Sequence, residues 1–167
     1  ADKVVQTCCL KTHRFGGHFT MSLKNSVGLV ARFDPQDGYD YMAELHSSQN
    51  QRLMIAEINQ TYENDMIVMD ATEAFVRGGP EGGDLVKPNV MLAGKDRVAM
   101  DAVGVAILRL FGTTPEVSQD RIFQQEQIAR AVELGIGIQS AKDIQLIPLD
   151  AESEKLDHKI EKNLAEE

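Results

Sequence analysis

Two histidines, two lysines and a glycine pair fall in one short stretch, from Lys11 to Asn25. Lysine ammonium groups attract anions, whereas histidines carry protons near neutral pH or ligate metals. Glycines let the backbone approach a ligand closely. The stretch follows an apolar run, so we predict a functional loop at a strand end, the alternative being a surface loop whose histidines only bond nearby backbone. The predicted roles are catalysis for Lys11 and His13 and anion or cofactor binding for Lys24 and Asn25.

A second pair of chemical groups follows the apolar run 66–69, which has the length of a buried parallel strand. Carboxylates at the carboxyl ends of such strands face the ligand crevice of open sheets. Asp70 is therefore predicted to act as an acid or base, and His13, Asp70 and Glu73 to ligate a metal ion. The alternative is an aspartate that caps its own turn.

The region from Asp70 to Lys87 is predicted to be a long loop, and it contains four glycines between positions 78 and 83. Glycine amides in such loops bind anions, which makes Gly78 and Gly79 candidate cofactor-binding residues. The loop lacks the lysine and hydroxyl residue of a phosphate-binding P-loop, and no helix start follows it. A flexible lid is the alternative.

Asp101 lies in a stretch that is apolar almost all round, so we predict that its helix is buried. A buried carboxylate is costly unless it is paired or hydrogen-bonded. The favoured partner is a backbone amide, with a cation or a metal as alternatives. Gly104, one turn further on, is expected to allow close packing.

The charge of the chain limits its partners. The formal net charge is -9, which disfavours nucleic acids and anionic membranes. The first 33 residues nevertheless contain five cations and one acidic residue, so their net charge is +4. A small anionic ligand or substrate is the partner that such a basic segment predicts.

The two cysteines, Cys8 and Cys9, are adjacent, so a strand would point them to opposite faces and they are not expected to pair. There is no disulfide framework, no signal peptide and no apolar run of about 20 residues, so we expect a cytoplasmic protein that does not span a membrane.

The order of the predicted elements alternates between strands and helices, which indicates an α/β layered sandwich with a mostly parallel or mixed central sheet flanked by helices. Residues 1–149 are predicted to be a single α/β domain. The chain opens without Met and enters a strand at once, which suggests a piece of a longer chain. The predicted strands are 3–10, 66–69, 89–94 and 144–149. The predicted helices are one that ends at Tyr62 and has its N-cap candidates at 47–50, one over 97–111 and one over 118–134.

Residues 150–167 differ in character from the rest and are predicted to be a charged helical tail. Leu156, Ile160 and Leu164 recur every four residues, which gives a narrow apolar stripe. The stripe is expected to dock on the body of the protein or to join two copies of the chain as a homo-oligomer, with fraying as the alternative.

Four blocks of the sequence, in order, resemble the family called domain of unknown function 362: 10–13 with 20–28, 69–73 with the glycines that follow, 96–104, and 131–137. Members of that family are often described as iron–sulfur-associated and many carry a ferredoxin-like cysteine segment. This chain lacks such a segment, so we do not expect an iron–sulfur cluster in it. The resemblance implies the fold and the site, but no particular reaction.

Together these features predict a metal- or anionic-cofactor-dependent enzyme domain that does redox or group-transfer chemistry, with the basic loop facing the strand-end carboxylates. The cofactor is unknown, a metal ion being the first candidate. The alternatives are a non-catalytic ligand-binding or accessory module and a structural subunit assembled through the tail.

Overall fold

A computed structural model describes residues 2–165 of the chain. Ala1, Glu166 and Glu167 lie outside the described residues, so the end of the predicted tail is not covered. Within this part of the chain the sheet has five strands: β1 (Val5–His13), β2 (His18–Thr20), β3 (Met66–Gly78), β4 (Gly83–Val86) and β5 (Val90–Gly94). The helices are α1 (Ser22–Asn25), α2 (Tyr41–Ser47), α3 (Gln51–Ile58), α4 (Arg97–Leu110), α5 (Pro115–Ser118), α6 (Glu126–Glu133) and α7 (Ala151–Ala165). None of these helices is long and apolar enough to cross a bilayer.

The sheet is mixed, in the order β2-β1-β3-β4, with β5 also paired to β3. Strands β1 and β3 are parallel, and the remaining pairs are antiparallel. Along β3, the first half pairs with β5 and the second half with β4, so one long strand joins three others. The predicted α/β layered fold with a mixed sheet is confirmed.

One face of the sheet is buried and the other is exposed, as the alternation of residues along β1 shows. Cys8 and Leu10 point into the core, together with Ile67 and Met69 of β3. Val5, Cys9 and Met66 point to the opposite side and are exposed. Helices α1 and α4 contact β1, and α4 contacts β3 as well. Both cysteines are free thiols, as the sequence predicts.

Helix α4 forms where the sequence predicts it. The Asp96 side chain accepts a hydrogen bond from the Ala99 amide at 2.8 Å and so caps the first turn. Gly112, with a φ of 79°, follows the last turn. Most of the helix is buried, including Asp101.

Several predicted elements differ from the structure in their extent or their type. Strand β3 does not stop at residue 69, because its alternation of buried and exposed residues continues through Ala74 and Val76. The predicted helix 118–134 is broken into α5, a short 3-10 turn and α6. The Arg109 side chain there bonds the Val117 and Asp120 carbonyls, so these groups are engaged outside a helix.

The last predicted strand, 144–149, is not a strand in the described structure. Ile144 and Leu146 pack against the core without a paired strand, whereas Ile147 and Leu149 are exposed. The predicted strand 89–94 exists as β5, but it lies at an edge and is only partly buried. Helix α3 begins directly after the predicted cap residues 47–50 and ends before the predicted end at Tyr62.

Helix α7 packs against α4 within the same chain. Its predicted stripe is used there, since Ile160 and Leu164 are buried and Leu156 is partly buried. Docking on the body is thus observed, while a homo-oligomer stays a prediction.

Candidate functional site

His13 is the last residue of β1, not part of a loop. The prediction of a loop from Lys11 onward is wrong at this end, because Lys11, Thr12 and His13 all pair with β2 across a hairpin. Thr12 points inward and its hydroxyl donates to the Phe75 carbonyl of β3 at 3.0 Å, so the strand is held to the sheet as far as the hairpin. His13 is consequently a buried side chain, 7% exposed, on a rigid element.

Both ring nitrogens of His13 have a neighbour. The backbone amide of Phe15 donates to Nδ1 at 3.3 Å, and Nε2 lies 3.2 Å from the Nζ atom of Lys24. Burial lowers the pKa of His13 to about 4, and the charges of Lys24, His46 and Lys11 add to this effect. His13 is therefore a neutral imidazole at physiological pH.

Lys24 approaches His13 from α1, directly after the hairpin. Its side chain is half-buried and lies across Gly17, where an added Cβ would be 3.0 Å from the Lys24 Cε atom. Burial lowers the pKa of Lys24, and the nearby charge of Lys11 lowers it further. A side chain at position 17 would require the flexible end of Lys24 to shift by a few tenths of an ångström, so Gly17 borders the site.

Lys11 is the third basic group. It is half-buried on β1, two residues before His13. Within residues 2–165, neither Lys11 nor Lys24 has a carboxylate within ion-pair distance. The neighbouring cations differ in this respect, since Arg14 is paired with Glu81 and Arg52 with Glu126. Lys24 thus contacts a neutral imidazole, and Lys11, two residues before His13 on the same strand, acts on both groups through its charge.

Asp101 holds α1, and hence Lys24, in place. Its carboxylate accepts hydrogen bonds from the Ser22 amide at 2.7 Å and from the Leu23 amide at 3.3 Å. The Gln127 side chain donates to the same group at 3.3 Å. The predicted backbone partner is therefore observed. Burial raises the pKa of Asp101 to about 7, although its hydrogen bonds act in the opposite direction.

Asp70 and Glu73 lie away from His13. Asp70 is level with Cys9 in the β1–β3 register, four residues before His13, which is about 13 Å along a strand. Its exposed carboxylate accepts from the Thr72 hydroxyl at 2.7 Å, whereas Glu73 is paired with Lys87 at 2.9 Å. The expected placement of Asp70 at a strand end is wrong, because β3 continues past it, so the structure does not bring the predicted metal ligands together.

With this geometry described, the chain can be compared with known proteins. The model of one family, described as a domain of unknown function (DUF362), matches residues 1–106. The chain belongs to this family. No curated protein and no solved structure matches it. The matched part of this DUF362 member contains β1 to β5, α1 to α3 and most of α4, and with them Lys11, His13, Lys24 and Asp101.

Gly78 and Gly79 of this DUF362 member lie in the hairpin turn between β3 and β4, close to the end of β1. Both have positive φ angles, 84° and 70°. The Gly79 amide donates to the Gly82 carbonyl at 2.7 Å, and a Cβ at Gly79 would overlap the Thr12 carbonyl. These contacts give the two glycines a packing role in the hairpin, while their predicted cofactor role is untested. The predicted ligand Asn25 is exposed at the end of α1.

The electrostatic influence of His46 on His13 was not anticipated from the sequence. His46 lies in the last turn of α2, which the sequence analysis also missed, and its Nδ1 is 2.7 Å from the Met42 carbonyl. The available signal was Asp40, whose side chain caps α2 by accepting from the Ala43 amide.

Beside the site, a groove of about 540 Å³ is lined by residues that include Phe15, Gly16, His46 and Arg52.

Proposed function

We propose that Lys11, His13 and Lys24 bind a small anion, a phosphate or a carboxylate, at the end of β1. The observation that carries this proposal is the contact of Lys24 with His13 at 3.2 Å, within reach of the charge of Lys11, while neither lysine has an acidic partner among the described residues. The lysines also lower the pKa of His13, and Lys11 lowers that of Lys24, so their charges are close enough to repel one another. An anion between them would relieve this repulsion.

The surroundings support a small ligand over a polyanion. The chain as a whole has a net charge of -9, which repels nucleic acids and acidic membrane surfaces. Arg14 lies in the hairpin turn and Arg52 donates to the Gly16 carbonyl, and both arginines are already neutralised by acidic partners. The positive charges left to attract an anion at the hairpin are therefore those of Lys11 and Lys24, which suits a ligand with one or two charged groups.

The hairpin contributes precise positions for these groups. His13 is held on β1 by the pairing with β2, and α1 is held through Asp101, so neither Lys24 nor His13 depends on a long loop. A rigid site loses less entropy when a ligand binds, which favours affinity for a small molecule. A catalytic use of the site, with an anionic cofactor or substrate, is part of the same proposal.

The test measures the binding of two probes, inorganic phosphate and pyruvate. Calorimetry gives the affinity of each probe, and amide chemical shifts give the residues that it affects. Lys11→Met and Lys24→Met each remove one positive charge, and we expect each to weaken binding at least tenfold. Lys95→Met is the matched control, because it removes one positive charge from an exposed lysine far from the site. Lys95 follows Gly94, which pairs with Ile67 at the start of β3, whereas the site lies at the other end of the sheet.

Absence of binding of both probes to the unaltered chain would contradict the proposal, as would equal weakening by all three substitutions. Lys24→Arg serves as a second variant that keeps the charge. It is expected to retain most of the phosphate affinity, and a melting curve for each variant checks that it is folded.

A further inference from the structure

The hydrogen bonds around His13 specify which of its nitrogens carries the proton. Because the Phe15 amide donates to Nδ1, that nitrogen presents a lone pair, and the proton of the neutral ring is on Nε2. Nε2 is the atom that faces Lys24 Nζ at 3.2 Å. An N–H group can donate to an amine but not to an ammonium ion, so this arrangement favours loss of one proton from the charged Lys24.

The opposite tautomer would suit a charged Lys24 but would turn an Nδ1–H group toward the Phe15 amide. Loss of a hydrogen bond by a partly buried backbone amide is unfavourable. The hydrogen-bond geometry therefore stabilises the free amine relative to the ammonium form. Burial and the charge of Lys11 lower the pKa of Lys24 in the same direction.

Three further features of the Lys24 environment are typical of a reactive amine: burial, a nearby positive charge and the lack of a carboxylate partner among the described residues. Lysines become nucleophiles when they are desolvated or lie near a second cation. Lys24 is half-buried, and the charge of Lys11 acts on it in the same direction as burial. Within residues 2–165 no carboxylate pairs with Lys24 and stabilises its charge. The other lysines with described partners, Lys3, Lys87 and Lys155, each pair with an acidic residue.

We propose that Lys24 is a nucleophile that forms an imine with a small anionic oxo compound, such as a 2-oxo acid. This inference rests on the proposed anion site, in which Lys11 would hold the carboxylate while the neighbouring carbonyl carbon meets Nζ. The ligand class is thereby narrowed from small anions in general to anions that carry an aldehyde or a ketone.

The covalent step is balanced without an oxidant or a reductant. The Nζ lone pair forms a bond to the carbonyl carbon, and the electron pair of the C=O π bond moves to the oxygen. One proton is transferred from nitrogen to that oxygen, which gives a carbinolamine. The hydroxyl group then leaves with the second nitrogen proton as water, and a C=N bond remains.

The test is reductive trapping in the full chain. The protein is incubated with pyruvate and sodium cyanoborohydride near neutral pH, and peptide mapping by mass spectrometry measures the adduct on each lysine. We expect an adduct at Lys24 that forms at least tenfold faster than the adduct at the exposed Lys95. Excess oxalate, an anion without a reactive carbonyl, is expected to slow the reaction at Lys24 only.

Lys24→Arg separates this inference from the anion site itself, since arginine keeps the charge but does not form an imine. The variant is expected to give no selective adduct, and phosphate binding by the unaltered chain reports separately on the anion site. If the unaltered chain binds phosphate and pyruvate but Lys24 reacts no faster than Lys95, the nucleophile is refuted and the anion site remains. If it binds neither probe and shows no selective adduct, both proposals fail.

Discussion

The Nε2 atom of His13 lies 3.2 Å from the Nζ atom of Lys24, and the two side chains come from different elements, β1 and α1. The protonation states of the two groups are therefore linked. A positive charge on the His13 ring disfavours a positive charge on Lys24, and the reverse is also true. The Phe15 amide, which donates to Nδ1, selects the tautomer of the neutral ring. This pair is the centre of the candidate site.

We expect His13 to titrate near pH 4, because burial and the adjacent lysines disfavour its charged form. A folded-state pKa below the ordinary value means that only the unfolded chain binds this proton between about pH 6.5 and pH 4, so stability falls as the pH falls through that window. The measurement is an NMR titration of the imidazole carbon shifts. Lys24→Met should raise the pKa of His13, and a wild-type midpoint at or above 6.5 would contradict the described environment.

Asp101 should give the opposite pH dependence. Its pKa is raised from 3.8 to about 7, so the native state holds this proton more strongly and stability decreases as the pH rises between these values. Asp101→Asn does not titrate, and the slope of unfolding free energy against pH should become smaller in that range.

Asp101→Ala leaves the Ser22 and Leu23 amides without their acceptor, at a cost of about 1–3 kcal/mol each. Urea unfolding at several pH values tests both variants; an unchanged slope in Asp101→Asn would count against the buried carboxyl group.

Gly104 is expected to be a packing position. A Cβ there would overlap the Met21 sulfur atom and lie 3.1 Å from Leu10 Cδ1. Gly104→Ala should therefore destabilise the protein by about 1–3 kcal/mol, even though alanine favours a helix over glycine by roughly 1 kcal/mol. Gly28→Ala is the control, because no atom lies within 4 Å of its added Cβ. Thermal unfolding compares the two, and a more stable Gly104→Ala protein would show that the contact of α4 with Met21 is not tight.

The tail helix should stabilise its own chain. Ile160 is buried in the contact of α7 with the body, so Ile160→Ala is expected to cost about 2–5 kcal/mol. Lys159→Ala, one residue earlier and exposed, should change stability by less than about 0.5 kcal/mol. Denaturant unfolding measures both, and sedimentation should show the same mass for each. A dimer that dissociates in Ile160→Ala would instead indicate that the stripe joins two copies.

Local signals made parts of the fold predictable. The helix from Arg97 to Leu110 was found because its cap, Asp96, its apolar run and Gly112 are all contiguous in the sequence. The basic groups of the site were also found, since Lys11, His13 and Lys24 are near one another along the chain. The end of β3 was misplaced because Thr72 and Glu73 interrupt an apolar pattern that the pairing with β1 and β4 sustains.

The properties of the site depend on distant residues and were not predictable from its own segment. The lowered pKa of His13 results from burial beneath other elements, and the position of Lys24 depends on a carboxylate in α4. Similarly, Asp70 looked like a strand-end ligand because nothing in its own neighbourhood revealed that β4 would extend the sheet. Spacing identified which residues carry the chemistry, whereas their environment came from tertiary contacts.

The bond from Asp101 to the Ser22 amide spans 79 positions of the sequence, which has a consequence for synthesis of the protein. A nascent chain that has left the ribosome only as far as residue 30 contains Lys11, His13 and Lys24 but lacks the carboxylate that fixes α1. The contact between Asp101 and α1 can therefore form only after α4 has been synthesised, so it is one of the long-range contacts of this fold.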